Sequence, residues 1–149
     1  MKSVERNSKV NKIQVFTDGG SRGNPGPAAA AAIAKDPAGK VRLLRGKYLG
    51  RATNNFAEYQ GVILAFEELL KTIGIEPRKT KLAFNLDSSL VVNQLNGTFK
   101  VKNPKIRDLV VKVRNLEPQF LEVSYVHIPR EKNTEADRIV NETLDKELT

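Results

Sequence analysis

Cysteine and tryptophan are both missing from the 149 residues, and histidine occurs once, at His127. Without cysteine there is neither a disulfide framework nor a thiolate metal site, and one histidine cannot supply a paired-imidazole site. No apolar run approaches the ~20 residues needed to span a bilayer, and the N-terminus lacks the apolar core of a signal peptide. The expectation is a cytoplasmic protein with no membrane partner. Acidic charge is the scarcer sign, 17 Asp and Glu against 25 Lys and Arg, for a net charge of +8. Such a surplus favours contact with a polyanion, although charge alone is equally met by a basic surface that only keeps a small protein soluble. The length fits one domain able to bury its own core.

The few acids stand at particular places. In Val15-Phe16-Thr17-Asp18-Gly19-Gly20-Ser21-Arg22-Gly23-Asn24-Pro25-Gly26 a β-prone run stops on a carboxylate and turns glycine-rich. Ile13, Val15 and Thr17 alternate with Gln14 and Phe16, which predicts a largely buried strand over 13–18, while the glycines, Asn24 and Pro25 cannot continue it. Taken alone, Asp18-Gly19 also reads as an ordinary turn.

Residues 1–12 are polar and read as a loose tail. Residues 28–34 and 41–49 read as second and third strands joined by the turn Asp36-Pro37-Ala38-Gly39, and short turns make the first three strands antiparallel neighbours. The period then changes. Ile63, Phe66, Leu70 and Ile73 fall three and four apart, with a second stripe through Ala57, Gly61, Leu64 and Leu69, which predicts a central helix over 55–73 ended by Gly74 and Pro77. A fourth strand over 81–86 ends on Asp87, after which Ser88 or Ser89 caps a short helix through Leu95. Pro104 opens a helix to Leu116, residues 122–128 form a fifth strand, and Thr134 caps a last helix to about residue 146. The order, written βββαβαβα, predicts an α/β fold whose mixed five-stranded sheet is flanked by helices, antiparallel at one side and parallel at the other. First and fourth strands would bring Asp18 and Asp87 together at carboxyl ends, where open α/β sheets place their sites.

Two further acids are expected in first helical turns, Glu58 in Thr53-Asn54-Asn55-Phe56-Ala57-Glu58 and Asp137 in Thr134-Glu135-Ala136-Asp137. Each also has capping-box spacing, Asn55 with Glu58 and Thr134 with Asp137, so a purely structural role accounts for either one singly. Four convergent carboxylates repel one another unless divalent cations occupy the cluster, and an all-oxygen donor set suits Mg²⁺ or Mn²⁺. With a basic surface, the matching chemistry is phosphodiester hydrolysis by two metals about 4 Å apart. A non-catalytic nucleic-acid-binding module would leave the four acids without a purpose, since they oppose phosphate.

These segments, together with Leu86-Asp87-Ser88-Ser89-Leu90-Val91-Val92-Asn93-Gln94-Leu95-Asn96-Gly97 and Asn133 ahead of Thr134, resemble type 1 ribonuclease H from about Ile13 to the last helix. The resemblance implies a single catalytic domain over 13–149, sheet order 3-2-1-4-5, two Mg²⁺ ions with Mn²⁺ able to substitute, and endonucleolytic cleavage of the RNA strand of RNA/DNA hybrids by a monomer. A same-fold nuclease that also cuts double-stranded RNA is the alternative. By resemblance Asp18 bridges both metals, Asp137 holds the water-activating one, and Glu58 and Asp87 hold the other, with Glu58 near a ribose 2′-hydroxyl. Asn54 and Asn55 would read minor-groove edges, Arg51 and Thr53 would grip a DNA-strand phosphate, and Asn24 with Gly19, Gly20, Ser21 and Arg22 would line the groove.

The sequence departs from the family pattern in three places. Leu86 stands where many relatives have serine. The basic helix and loop of some bacterial relatives is missing, and Lys100, Lys102 and Lys105 either replace it in part or form a solvated basic turn. A compact form without a separate hybrid-binding domain ahead of residue 13 is the expectation. The segment before the last helix is short, so His127 is expected in the fifth strand as a structural residue, and Arg130 takes the place nearer the chemistry.

Overall fold

The computed structural model describes residues 10–149. Most of the predicted tail, residues 1–9, lies outside the described residues, and Asn11 and Lys12 already belong to the first strand. The strands are β1 (Asn11–Ser21), β2 (Gly26–Lys35), β3 (Val41–Ala52), β4 (Thr80–Leu86) and β5 (Glu122–His127); the helices are α1 (Asn54–Leu69), α2 (Ser89–Leu95), α3 (Pro104–Leu116) and α4 (Thr134–Leu148). They form one five-stranded sheet in the order 3-2-1-4-5. Strands β1 to β3 are antiparallel, and β1, β4 and β5 are parallel, as expected from the short turns and the helical crossovers. The connection from β4 to β5 holds two helices, both over the predicted residues.

The sheet separates two cores. On one face Ile13, Val15, Leu82, Phe84 and Leu86 meet Val62, Ile63, Phe66 and Leu69 of α1 and Val113 of α3. Phe66 lies 4.9 Å from Phe84 and 5.7 Å from Phe120 between ring centroids, and Phe84 lies 5.3 Å from Tyr125. Tilted rings at these distances add to the stabilisation from burial. On the other face Ile139, Val140 and Leu144 of α4 cover Ala29, Ala31 and Ile33 of β2. β2 is buried on both faces, and its run of alanines lets helices approach from either side.

Several boundaries differ from the sequence reading; β2 and β3 run longer than expected, β3 to Ala52 instead of Leu49. β1 does not stop on Asp18: Gly19, Gly20 and Ser21 keep pairing with Ala30, Ala29 and Ala28 of β2. Only the parallel ladder to β4 stops early, at Phe16 opposite Asn85, so Asp18 stands where β1 has lost its β4 neighbour. α1 ends at Leu69 rather than Ile73, because Lys71 and Thr72 bond back three residues, the Thr72 hydroxyl donates to the Glu68 carbonyl at 2.8 Å, and Ile73 is 95 % exposed. Gly74, with φ +89°, closes the turn after the helix has already ended. At α4 the capping position belongs to Asn133, not Thr134, which is already helical.

Candidate active site

Each acid is delivered by a different element. Asp18 comes from β1 beyond the end of its parallel ladder, and Asp87 follows β4 directly, before Ser88, whose hydroxyl accepts from the Val91 N–H to start α2. Glu58 comes from α1. Thr53 rather than Asn55 caps that helix, its hydroxyl accepting from the Phe56 N–H at 3.2 Å. Glu58 therefore lies two residues further into the helix than predicted and makes no capping box; instead its Oε1 accepts from the Gly19 N–H at 3.1 Å. α1 reaches that close to β1 because Gly19 and Gly61 face the opposing main chain: a β-carbon at Gly19 would collide with the Ala57 carbonyl, and one at Gly61 with that of Asp18. Asp137 stands in the first turn of α4, as expected.

Carboxylate oxygens of Asp18, Glu58 and Asp87 lie within 4.8 Å of one another. Asp137 is outside that set but lines the same groove, of about 450 Å³, with Gly19, Gly20, Asn54, Asn55 and Arg130. Asp18 and Glu58 are buried. Burial, reinforced by Asp87 and Asp137, pushes the Asp18 carboxyl up to about 6, against the opposing effects of its hydrogen bonds with Glu58 and Gly19. Glu58 is raised well above the usual carboxylate range, chiefly by burial and then by Asp18 beside it. Its Oε2 is buried with no hydrogen-bond donor. A buried carboxylate oxygen without a donor, in a cluster where burial raises Asp18 and Glu58, fits a divalent cation: a hard cation meets the orphaned oxygen and removes the repulsion together.

The other predicted residues divide between two grooves. Ser21 and Arg22 line the first, Asn54 and Asn55 line both, and Asn24 and Thr53 line a second of about 880 Å³ with Gln94, Asn103 and Lys105. Asn54 Oδ1 accepts from the N–H and the hydroxyl of Ser21, and Asn24 Oδ1 accepts from the Asn54 N–H, so the loop after β1 is fixed to the start of α1. Arg22 is held by Asp145 at 2.6 Å and by the Asn141 carbonyl. Arg51, exposed on β3 opposite Pro27, lines neither groove. Nor do Lys100 and Lys102, which are exposed; among the basic residues of that segment it is Lys105 that faces the second groove. His127 ends β5 opposite Leu86 as expected, but it is exposed rather than packed.

Sequence reasoning missed Asn133. It is 2 % exposed, and its Nδ2 donates to the Thr17 carbonyl at 2.9 Å and to Asp87 Oδ2 at 3.1 Å. The signal was there, an Asn directly before the first helical residue, but crediting Thr134 with the cap hid it.

Comparison with known proteins agrees with this geometry. The family described as reverse transcriptase-like matches residues 16–143. A ribonuclease HI of Halobacterium salinarum is 36% identical over 143 residues, covering 96% of this chain and 69% of that protein. A "Bifunctional protein Rv2228c" of Mycobacterium tuberculosis is 42% identical over 135 residues, 90% of this chain, which spans only 36% of that longer protein. Among solved structures, LC11-RNase H1 in complex with an RNA/DNA hybrid superposes with a TM-score of 0.87 at 38% identity, over 92% of this chain and 99% of the other. A sheet ordered 3-2-1-4-5 with acids on β1 past its pairing with β4, directly after β4 and on α1 defines a ribonuclease H-fold site. The chain belongs to the type 1 ribonuclease H family.

Proposed function

We propose that the protein is an endonuclease that hydrolyses the RNA strand of RNA/DNA hybrids, with two Mg²⁺ ions, replaceable by Mn²⁺, held by Asp18, Glu58, Asp87 and Asp137. The observation that carries this reading is the set of three carboxylates within 4.8 Å, from three separate elements, in an open groove. When bound, such ions supply an activated water and offset charge on the phosphate and the leaving oxygen.

The chain's own residues do the rest. Asp18 and Glu58, whose carboxyls burial holds above the usual range, would be held in their charged forms by bound cations, so that their burial would serve as a preformed anionic cradle. With Oδ1 of Asn54 committed to Ser21, its amide N–H groups are left as donors for the acceptor atoms of base edges in the minor groove. The family resemblance gives Glu58 the further role of meeting a ribose 2′-hydroxyl, the group that separates RNA from DNA. Arg130 acts by charge alone, since a guanidinium cannot serve as a base near neutral pH. Asn24 and Thr53, with Lys105 in the second groove, provide donors and positive charge for the DNA backbone. We place the protein in the cytoplasm as a monomer.

Matched RNA/DNA, RNA/RNA and DNA/DNA duplexes incubated with the protein and Mg²⁺ test the reading. Cutting within runs of ribonucleotides opposite DNA, with all-DNA duplex intact, is expected. Comparable cutting of RNA/RNA establishes the broader specificity, and comparable cutting of DNA/DNA removes the protein from this class of activity.

A further inference from the structure

Asn133 sits where a helix-capping side chain would sit, yet it does not cap α4. An Asn at this position ordinarily accepts from the second or third helical N–H. Here its side chain turns into the sheet and donates twice, to the Thr17 carbonyl and to Asp87 Oδ2. Its main-chain carbonyl meanwhile accepts from the Asp137 N–H at 3.2 Å. One buried residue thus touches the peptide next to Asp18, the carboxylate of Asp87 and the turn carrying Asp137. No other residue in the described hydrogen bonds joins the surroundings of three of the four acids, here two links through the side chain and one through the main-chain carbonyl.

We infer that Asn133 is a positioning residue that fixes the Asp87 carboxylate relative to Asp18 and the start of α4, so that the acids are set to receive cations before any arrive. An amide donor, unlike a lysine or arginine, orients Asp87 without neutralising it. The contact commits one oxygen to Nδ2 and leaves the other for a cation. This proposal rests on the metal-dependent reading above. A residue serving only the helix would spend its side chain on the helix; this one leaves the cap unmade and joins β1, β4 and α4.

Asn133→Ser tests it, because serine can cap α4 but is too short to reach Thr17 and Asp87. The readouts are the Mg²⁺ concentration at half-maximal thermal stabilisation, measured without substrate, and single-hybrid kinetics. The expected result is cooperative unfolding of the metal-free variant, a midpoint raised about tenfold, and kcat lowered about tenfold with KM for the hybrid within about twofold. An unchanged midpoint and kcat would overturn the proposal and leave Asn133 a helix-start residue. If Asn133→Ser gives no cooperative transition, Asn133→Gln, which keeps the amide but displaces it, is judged on the same two readouts. In an Asp87→Asn background the serine change should add no further loss of Mg²⁺ affinity, and an additive loss would refute action through Asp87. Failure of the wild type to cut hybrids would count against the nuclease reading only, because the midpoint is measured without nucleic acid.

Discussion

The two grooves share Asn54 and Asn55 and differ in almost everything else. The first carries Asp18, Glu58, Asp87 and Asp137 against Arg22 and Arg130, and Arg22 is already paired with Asp145. Among the described residues the second has no acid on its walls; its polar groups are amides, Thr53 and Lys105, beside apolar Phe56, Val101 and Ile106. A phosphate backbone can enter the second directly, whereas the first repels it until cations intervene. The contrast assigns metal dependence to one wall of the protein and salt dependence to the other, with the shared asparagines at the boundary.

Asp87→Asn is the strongest way to break the contrast. It should lower kcat by roughly 10³-fold or more, about 4 kcal/mol, because an amide is a poor ligand for a hard cation. Hybrid affinity at fixed salt should stay within about threefold, since the second groove is untouched. Substantial turnover in Mg²⁺ would show that the first groove's acids are not the metal ligands. Next comes pH. With the folded pKa of Asp18 at about 6 and the ordinary value at 3.8, the unfolded chain gives up its proton first, so the metal-free protein should lose stability as pH rises from about 4 to about 6. The loss is on the order of 2–3 kcal/mol from this group and should level off at higher pH. Saturating Mg²⁺ should flatten the curve, and denaturant titrations across this range with and without the ion decide it.

Arg130→Ala is expected to lower kcat about tenfold, ~1.4 kcal/mol, by removing positive charge from the first groove. His127→Ala, at an exposed strand end outside both grooves, should change stability by no more than about 0.5 kcal/mol. Single-turnover rates with one hybrid compare the two directly, and a larger rate loss for a folded His127→Ala protein would reverse the assignment. The mildest effect sharpens the second groove. Lys105→Ala should lower the salt dependence of hybrid binding by roughly one phosphate contact, a slope change of about 0.9, with kcat at saturation preserved. Lys100→Ala should leave the slope nearly unchanged.

How much of this could be read from residues depends on the range of the interaction involved. Hydrophobic period and turn chemistry are local, so the strands, the helices and the residues that carry the acids were legible, and Ser88 and Pro104 placed the starts of α2 and α3. What failed was decided by partners far along the chain. β1 continues past Asp18 because β2 offers a ladder of alanines small enough to lie beneath two helices. Ile73 fits the apolar stripe of α1, but the chain leaves the helix four residues earlier and nothing covers it. Arg51, Lys100 and Lys102 are exposed and have the right charge near the right motifs, but they line neither groove, and charge beside a motif does not by itself say what it faces. Asn133 was missed for the same reason: its partners are Thr17, 116 residues away, and Asp87, 46 away.

The bare contact of α1 with β1, glycine on either side, has a consequence for how such a protein changes over time. Because Gly19 and Gly61 let main chain rest on main chain, the interval between Asp18 and Glu58 is set by a spacing that no side chain can lengthen or shorten. Substitutions at Val62, Ile63 or Phe66 can repack the neighbouring core and cost stability without altering that interval. Sequence drift in the interior is thereby decoupled from the tuning of the chemistry, and only the two glycines carry both burdens. Gly19→Ala would push the helix off the strand, and no compensating change in side-chain volume elsewhere could restore the gap.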